Sequence, residues 1–170
     1  LVNAQLKPTT AVGGIINGNT YNANLGEGKY FVAEVDESDG TFLYFRPHYS
    51  IITNIDFEHV DFYKDWKGIT EAYGKFIELT NDKGTLIVCG EDPKLKDLVK
   101  GSNRKILFYG LDESCDVYAK NISSKGFHST FECFTKFGKL ADFELNVPGQ
   151  HNVLNALACI TLGLQVGVSL

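Results

Sequence analysis

The chain has no methionine and one tryptophan. With no initiator residue and an opening Leu1-Val2-Asn3-Ala4-Gln5-Leu6 that reads like the tail of a helix, it is expected to be a piece of a longer protein. It lacks any apolar run of about 18 residues, which excludes a membrane-spanning helix, and shows no signal peptide. It has no basic block and a net charge of −5, which argues against a groove for a nucleic-acid backbone. Its four cysteines, at 89, 115, 133 and 159, form no C-x-x-C pair, and no histidine stands at zinc-finger spacing from them. Cys89 and Cys159 lie in apolar runs and read as buried thiols, which fits a reducing cytoplasm.

What remains is ordinary for one globular domain: 170 residues, 44% hydrophobic and 22% charged. Short apolar runs at Tyr30–Val35, Tyr49–Ile55, Thr85–Cys89 and Arg104–Gly110 read as buried strands. Thr9–Val12 is a further short candidate. Between the runs, apolar residues at helical steps (Trp66, Ile69, Tyr73, Phe76, Ile77) predict a helix over 65–80 with Asp65 as its cap. A second helix is expected from Pro93 to about Lys100, and a short one over 41–45. Strand–helix alternation predicts an α/β fold with a mainly parallel central sheet flanked by helices. From Cys115 the period changes to two, which predicts three antiparallel strands over 116–122, 130–137 and 140–147, forming an added small antiparallel sheet. The Asn- and Gly-rich stretch 15–27 is expected to be irregular, with a hairpin at Asn17-Gly18-Asn19.

Chemistry concentrates between Tyr30 and Tyr63. The first run leads into Glu34-Val35-Asp36-Glu37-Ser38-Asp39-Gly40, and the second into Asn54-Ile55-Asp56-Phe57-Glu58-His59. Strands of a parallel sheet end on one edge, so Glu34 and His59 can converge there as mixed oxygen and nitrogen donors for a divalent cation. The same acids also suit solvated turns and helix caps. Near the other end, Val147-Pro148-Gly149 breaks a strand and a helix opens at His151. Asn152 and Asn155, three apart, share one face, where two carboxamides can read a base or simply cap the helix.

Two stretches together carry a resemblance. Glu34-Val35-Asp36-Glu37-Ser38-Asp39 with Thr53-Asn54-Ile55-Asp56-Phe57-Glu58-His59-Val60-Asp61, and Pro148-Gly149-Gln150-His151-Asn152-Val153-Leu154-Asn155-Ala156, are similar to the two hallmarks of the Mur ligases' central, ATP-binding domain. Glu58 stands where the family usually has Asp. Among its members, the run D-E-S-D is most similar to those that join L-alanine to UDP-N-acetylmuramate in peptidoglycan synthesis.

The resemblance implies a P-loop NTPase-like fold and an ATP-dependent ligase that activates a carboxylate as an acyl phosphate. It implies ATP and Mg2+ (Mn2+ also fits), with UDP-N-acetylmuramate and L-alanine as substrates. Carried over, Glu34 and His59 are metal ligands, and Asn54 supports the metal and phosphate region. Asp36, Ser38, Asp39, Gly13 and Gly14 lie on the sugar-nucleotide side, and His151, Asn152 and Asn155 contact adenine. Residues 1–170 then form the central domain without its phosphate-binding loop, because Gly13-Gly14 is followed by Ile15 and no Lys-Ser/Thr pair. The flanking domains of the family do not fit in this length, so the chain alone is expected to be inactive. Rival readings are a ligase that recycles muramyl peptides, a folate-type relative and a non-catalytic nucleotide-binding module.

Overall fold

The computed structural model describes residues 1–15 and 21–169. The hairpin expected at Asn17-Gly18-Asn19 lies outside them. The described residues form a three-stranded sheet, a six-stranded sheet and four α-helices.

The small sheet holds β1 (Thr9–Ala11), β2 (Ala23–Asn24) and β3 (Phe31–Ala33) in the order β2-β1-β3. β1 runs antiparallel to β2 and parallel to β3. This corrects the sequence reading in two ways. The run Tyr30–Val35 gives a strand, but in this small sheet rather than in the central one. It is also not buried on both faces, since Phe31 is 61% exposed. Apolar periodicity reports only that a run suits a strand; which neighbour it pairs with is decided by tertiary contacts. The helix end expected at residues 1–6 is a run of turns.

The large sheet has the order β4-β5-β6-β7-β8-β9. β4 (Tyr49–Ile52), β5 (Thr85–Cys89), β6 (Ile106–Gly110) and β7 (Val117–Lys125) are parallel, and β8 (His128–Thr135) and β9 (Gly138–Leu145) continue antiparallel. The expected α/β class is therefore present. The antiparallel strands extend the central sheet instead of forming a sheet of their own, because β7 pairs with β6 at Tyr109–Val117 and Gly110–Tyr118. The turns expected at 123–126 and 138–139 fall at Gly126-Phe127 and, earlier than expected, at Lys136-Phe137; Gly126 (φ 60°) and Gly138 (φ 118°), which opens β9, take the positive φ that favours glycine.

Every residue of β5 is buried, as a central strand covered on both faces requires. α2 (Trp66–Leu79) and α3 (Pro93–Val99) are the crossovers on either side of β5, and right-handed connections place both on one face. α4 (Gln150–Gln165) packs on β5, β6 and β7 from the other. α2 starts where the sequence says it should, with the Asp65 carboxylate accepting from the Gly68 N–H at 2.8 Å. Its core face is Ile69, Ala72, Phe76 and Ile77. At its far end the buried hydroxyls of Ser50 and Thr80 meet at 2.7 Å and join β4 to α2. On α4, Val153, Leu157, Ala158 and Thr161 face the sheet. Cys159 lies on the opposite side of the helix and is exposed, not buried as expected, whereas Cys89 is buried. A helix this apolar all round conceals which arc meets the sheet.

Candidate functional site

The parallel strands place the functional segments. β4 ends at Ile52, and Thr53-Asn54-Ile55-Asp56 leave its C-terminal edge. β9 points the same way as β4, since it is antiparallel to β8, which is antiparallel to β7. Its exit therefore starts α4 from that edge, carrying His151, Asn152 and Asn155. A cavity of about 180 Å3 joins the end of β3 to the end of β4; Val35, Glu37, Thr53, Asn54, Asp56 and Glu58 are among its lining residues.

Within it, the 53–56 loop is tied down by its own side chains. Thr53 Oγ1 donates to Asn54 Oδ1 at 2.9 Å, and Asn54 Nδ2 donates to Asp56 Oδ2 at 3.1 Å. Lys94 Nζ reaches Asp56 at 3.3 Å and lies 4.7 Å from the centre of the Trp66 ring. The hydrogen bond from Asn54, and then Lys94, hold the Asp56 carboxyl below its ordinary value.

His59 precedes α1 (Val60–Tyr63) and adopts a left-handed backbone, φ 54°. Such a conformation in a residue other than glycine is a strain that surrounding contacts must hold. Its carbonyl accepts the first bonds of α1, from Phe62 and Tyr63. Its Nε2 lies 3.9 Å from Glu37 Oε1, with both side chains about a third exposed (35% and 28%). Tyr63, at the end of α1, donates its hydroxyl to the Glu37 carbonyl. Burial, then the negative charge of Glu37, raises the Tyr63 hydroxyl above its usual value.

The other acids are engaged locally. Glu34 Oε2 accepts the Gly13 N–H at 2.6 Å, so Glu34 and Gly13 meet, while Gly14 is exposed. Asp36 accepts the Ser38 N–H at 2.6 Å, and Asp39 the Thr41 N–H at 2.9 Å, which opens the 3-10 turn Thr41–Tyr44. Both carboxyls are held below the usual range, Asp36 by the Ser38 hydroxyl first and Asp39 by that of Thr41.

No ion pair joins Glu34 to His59 among the described residues, and no three or more His, Cys, Asp or Glu side chains there are grouped to hold a metal ion. The acid facing His59 is Glu37, which the sequence alone does not single out. Its place in an acid run on the approach to a histidine was the only available signal. On α4, Asn152 Nδ2 donates to the Pro148 carbonyl at 2.7 Å, leaving its Oδ1 as acceptor, and Asn155 is exposed. Gly149 has φ 102°, and a β-carbon there would come within 2.7 Å of the His151 ring, so glycine is what lets that imidazole fold back over the chain.

Residues 16–163 match the Mur ligase middle domain. The chain belongs to this family. A UDP-N-acetylmuramate–L-alanine ligase from Syntrophomonas wolfei is 42% identical over all of the chain, which covers 37% of that relative. The solved UDP-N-acetylmuramate–alanine ligase of Thermotoga maritima superposes with a TM-score of 0.82 at 28% identity, over 98% of this chain and 37% of its own. A Neisseria ligase that acts on UDP-N-acetylmuramate and a tripeptide shares the fold, with a TM-score of 0.85 at 22% identity over 98% of this chain and 56% of its own. The chain thus spans little more than a third of the curated relatives it matches. As a Mur ligase middle domain, it sends residues 53–61 and 148–156 from one edge of its large sheet, while residues 34–39 follow the small one.

Proposed function

We propose that the chain is the central, ATP-binding domain of an ADP-forming ligase that joins L-alanine to UDP-N-acetylmuramate for peptidoglycan synthesis. The observation that carries this is the 42% identity, over the whole chain, to a relative of that name. Its four free cysteines suit the bacterial cytoplasm.

The donor set suits magnesium. That ion takes oxygen ligands, needs only one or two protein groups and completes its shell with phosphate and water, so a three-residue cluster is not required. Glu34 and His59 would hold it, with Asn54 alongside, and the single imidazole also admits manganese. When bound, the ion neutralises charge between the nucleotide phosphates and the substrate carboxylate.

The chain's own residues do the rest by positioning. The Thr53–Asn54–Asp56–Lys94 chain fixes the carboxamide of Asn54. His151, Asn152 and Asn155 bind adenine, with Asn155 offering both a donor and an acceptor. Asp36, Ser38, Asp39, Gly13 and Gly14 border the sugar nucleotide. The γ-phosphate passes to the lactyl carboxylate, and the alanine amine attacks the resulting acyl phosphate and releases phosphate.

The test is turnover by the full-length protein. Phosphate release should require UDP-N-acetylmuramate, L-alanine and Mg-ATP together. Asn155→Ala should weaken ADP by about 10- to 100-fold in calorimetric titration, as loss of a paired polar contact does. A full-length protein that binds ADP yet releases no phosphate with all three substrates would defeat the ligase reading.

A further inference from the structure

Four observations converge on Glu37. Its carboxylate is the acid nearest the imidazole of His59, at 3.9 Å from Nε2. Its backbone carbonyl is clamped by the Tyr63 hydroxyl, on the helix that His59 opens. It lines the cavity shared with Asn54. The strained φ of 54° at His59 sets the direction in which the ring leaves the chain, and that direction ends at Glu37. Glu34 accepts the Gly13 N–H through Oε2 and makes no ion pair with His59 among the described residues.

A metal-binding histidine commonly gives its second ring N–H to a carboxylate, which fixes the tautomer and makes the remaining nitrogen more basic. One imidazole nitrogen cannot serve both purposes. We propose that Glu37 is a positioning residue for His59: its carboxylate faces Nε2 at 3.9 Å, an ion-pair distance rather than a hydrogen bond, and by its charge favours the proton on that nitrogen, leaving the Nδ1 lone pair to bind a divalent cation. This rests on His59 being a metal ligand and adds the residue that orients it. Glu37 has no contact with substrate in this role.

The experiment uses the full-length protein with 15N-labelled histidine and cadmium-113 as the metal probe. Direct cadmium–nitrogen coupling at Nδ1 of His59 is the expected result. Coupling at Nε2 overturns the proposal while leaving His59 a ligand. Absence of coupling, together with unchanged cadmium affinity in His59→Ala, overturns the ligand assignment and the proposal with it.

A second measurement is manganese affinity by electron paramagnetic resonance. Glu37→Ala should weaken it about 10- to 100-fold, the range for losing such a partner. Glu37→Gln, which keeps an acceptor, should recover part of the loss. Glu58→Gln removes a like charge from the same cavity and should change affinity less than about threefold. Equal losses in Glu37→Gln and Glu58→Gln would mean that charge alone matters and would overturn the positioning role. The cadmium result on the unmutated protein decides the question even if a variant does not fold.

Discussion

Asp56 shows how one residue links site and stability. Its carboxyl is held down by Asn54 and Lys94, so its pKa in the fold is below the value of about 4 in an unfolded chain. Its contribution is therefore complete above that value and is lost as pH falls through the folded pKa. Asp56→Asn should lose less stability than the parent between about pH 5 and pH 2, read from urea midpoints; parallel curves for the two proteins would contradict this. Because the side chain is more than half exposed, the difference should be small. Lys64 offers a change of opposite sign. It closes α1 with φ 63°, a conformation that suits glycine, so Lys64→Gly should stabilise by roughly 0.5–1 kcal/mol in the same assay. A loss there would show that the lysine side chain makes contacts that outweigh the strain.

At the level of elements, the bond between Ser50 and Thr80 is the one buried polar link between β4 and α2 among the described residues. Ser50→Ala leaves the Thr80 hydroxyl buried without its partner and should cost about 1–3 kcal/mol. Adding Thr80→Val should cost less than the sum of the two single changes, because no orphaned hydroxyl remains. Additive losses in chemical denaturation would rule the link out. β5 is a different case, since its value is packing. Leu86, the second residue of β5, is fully buried, and Leu86→Ala should cost about 2–5 kcal/mol. At the start of α2, the Asp65 cap was legible in the sequence because the rule needs only an acid before a periodic run. The cap of α4 was not, since Gly149 offers no side chain and its role emerges from the His151 ring lying over it.

Across the whole molecule, stability is divided between two sheets. The small sheet has strands of two or three residues and buries none of them, whereas β5 is buried throughout. Opening the small sheet exposes little apolar surface, so its amides should exchange through local fluctuations. Hydrogen exchange should reach Thr10 and Val32 well before Ile87 and Val88. Comparable protection in both sheets would mean that they open as a single unit. The difference bears on the site, because Glu34 and Glu37 follow the weaker sheet and Asn54 and His59 follow the stronger one.

The sequence by itself determined the α/β class, α2 with its cap, the run of β5 and the two hallmark segments, because periodicity, capping and turn chemistry act over a few residues. Those two segments also carry the resemblance to the family whose middle domain residues 16–163 match. Only the tertiary structure decided that β3 joins β1, that β7 fastens the antiparallel strands to the parallel sheet, that Cys159 faces outward and that Glu37 is the acid facing His59. Each of these depends on which distant segment packs alongside. Local residue pattern does not encode that choice, because several partners satisfy the same hydrophobic period.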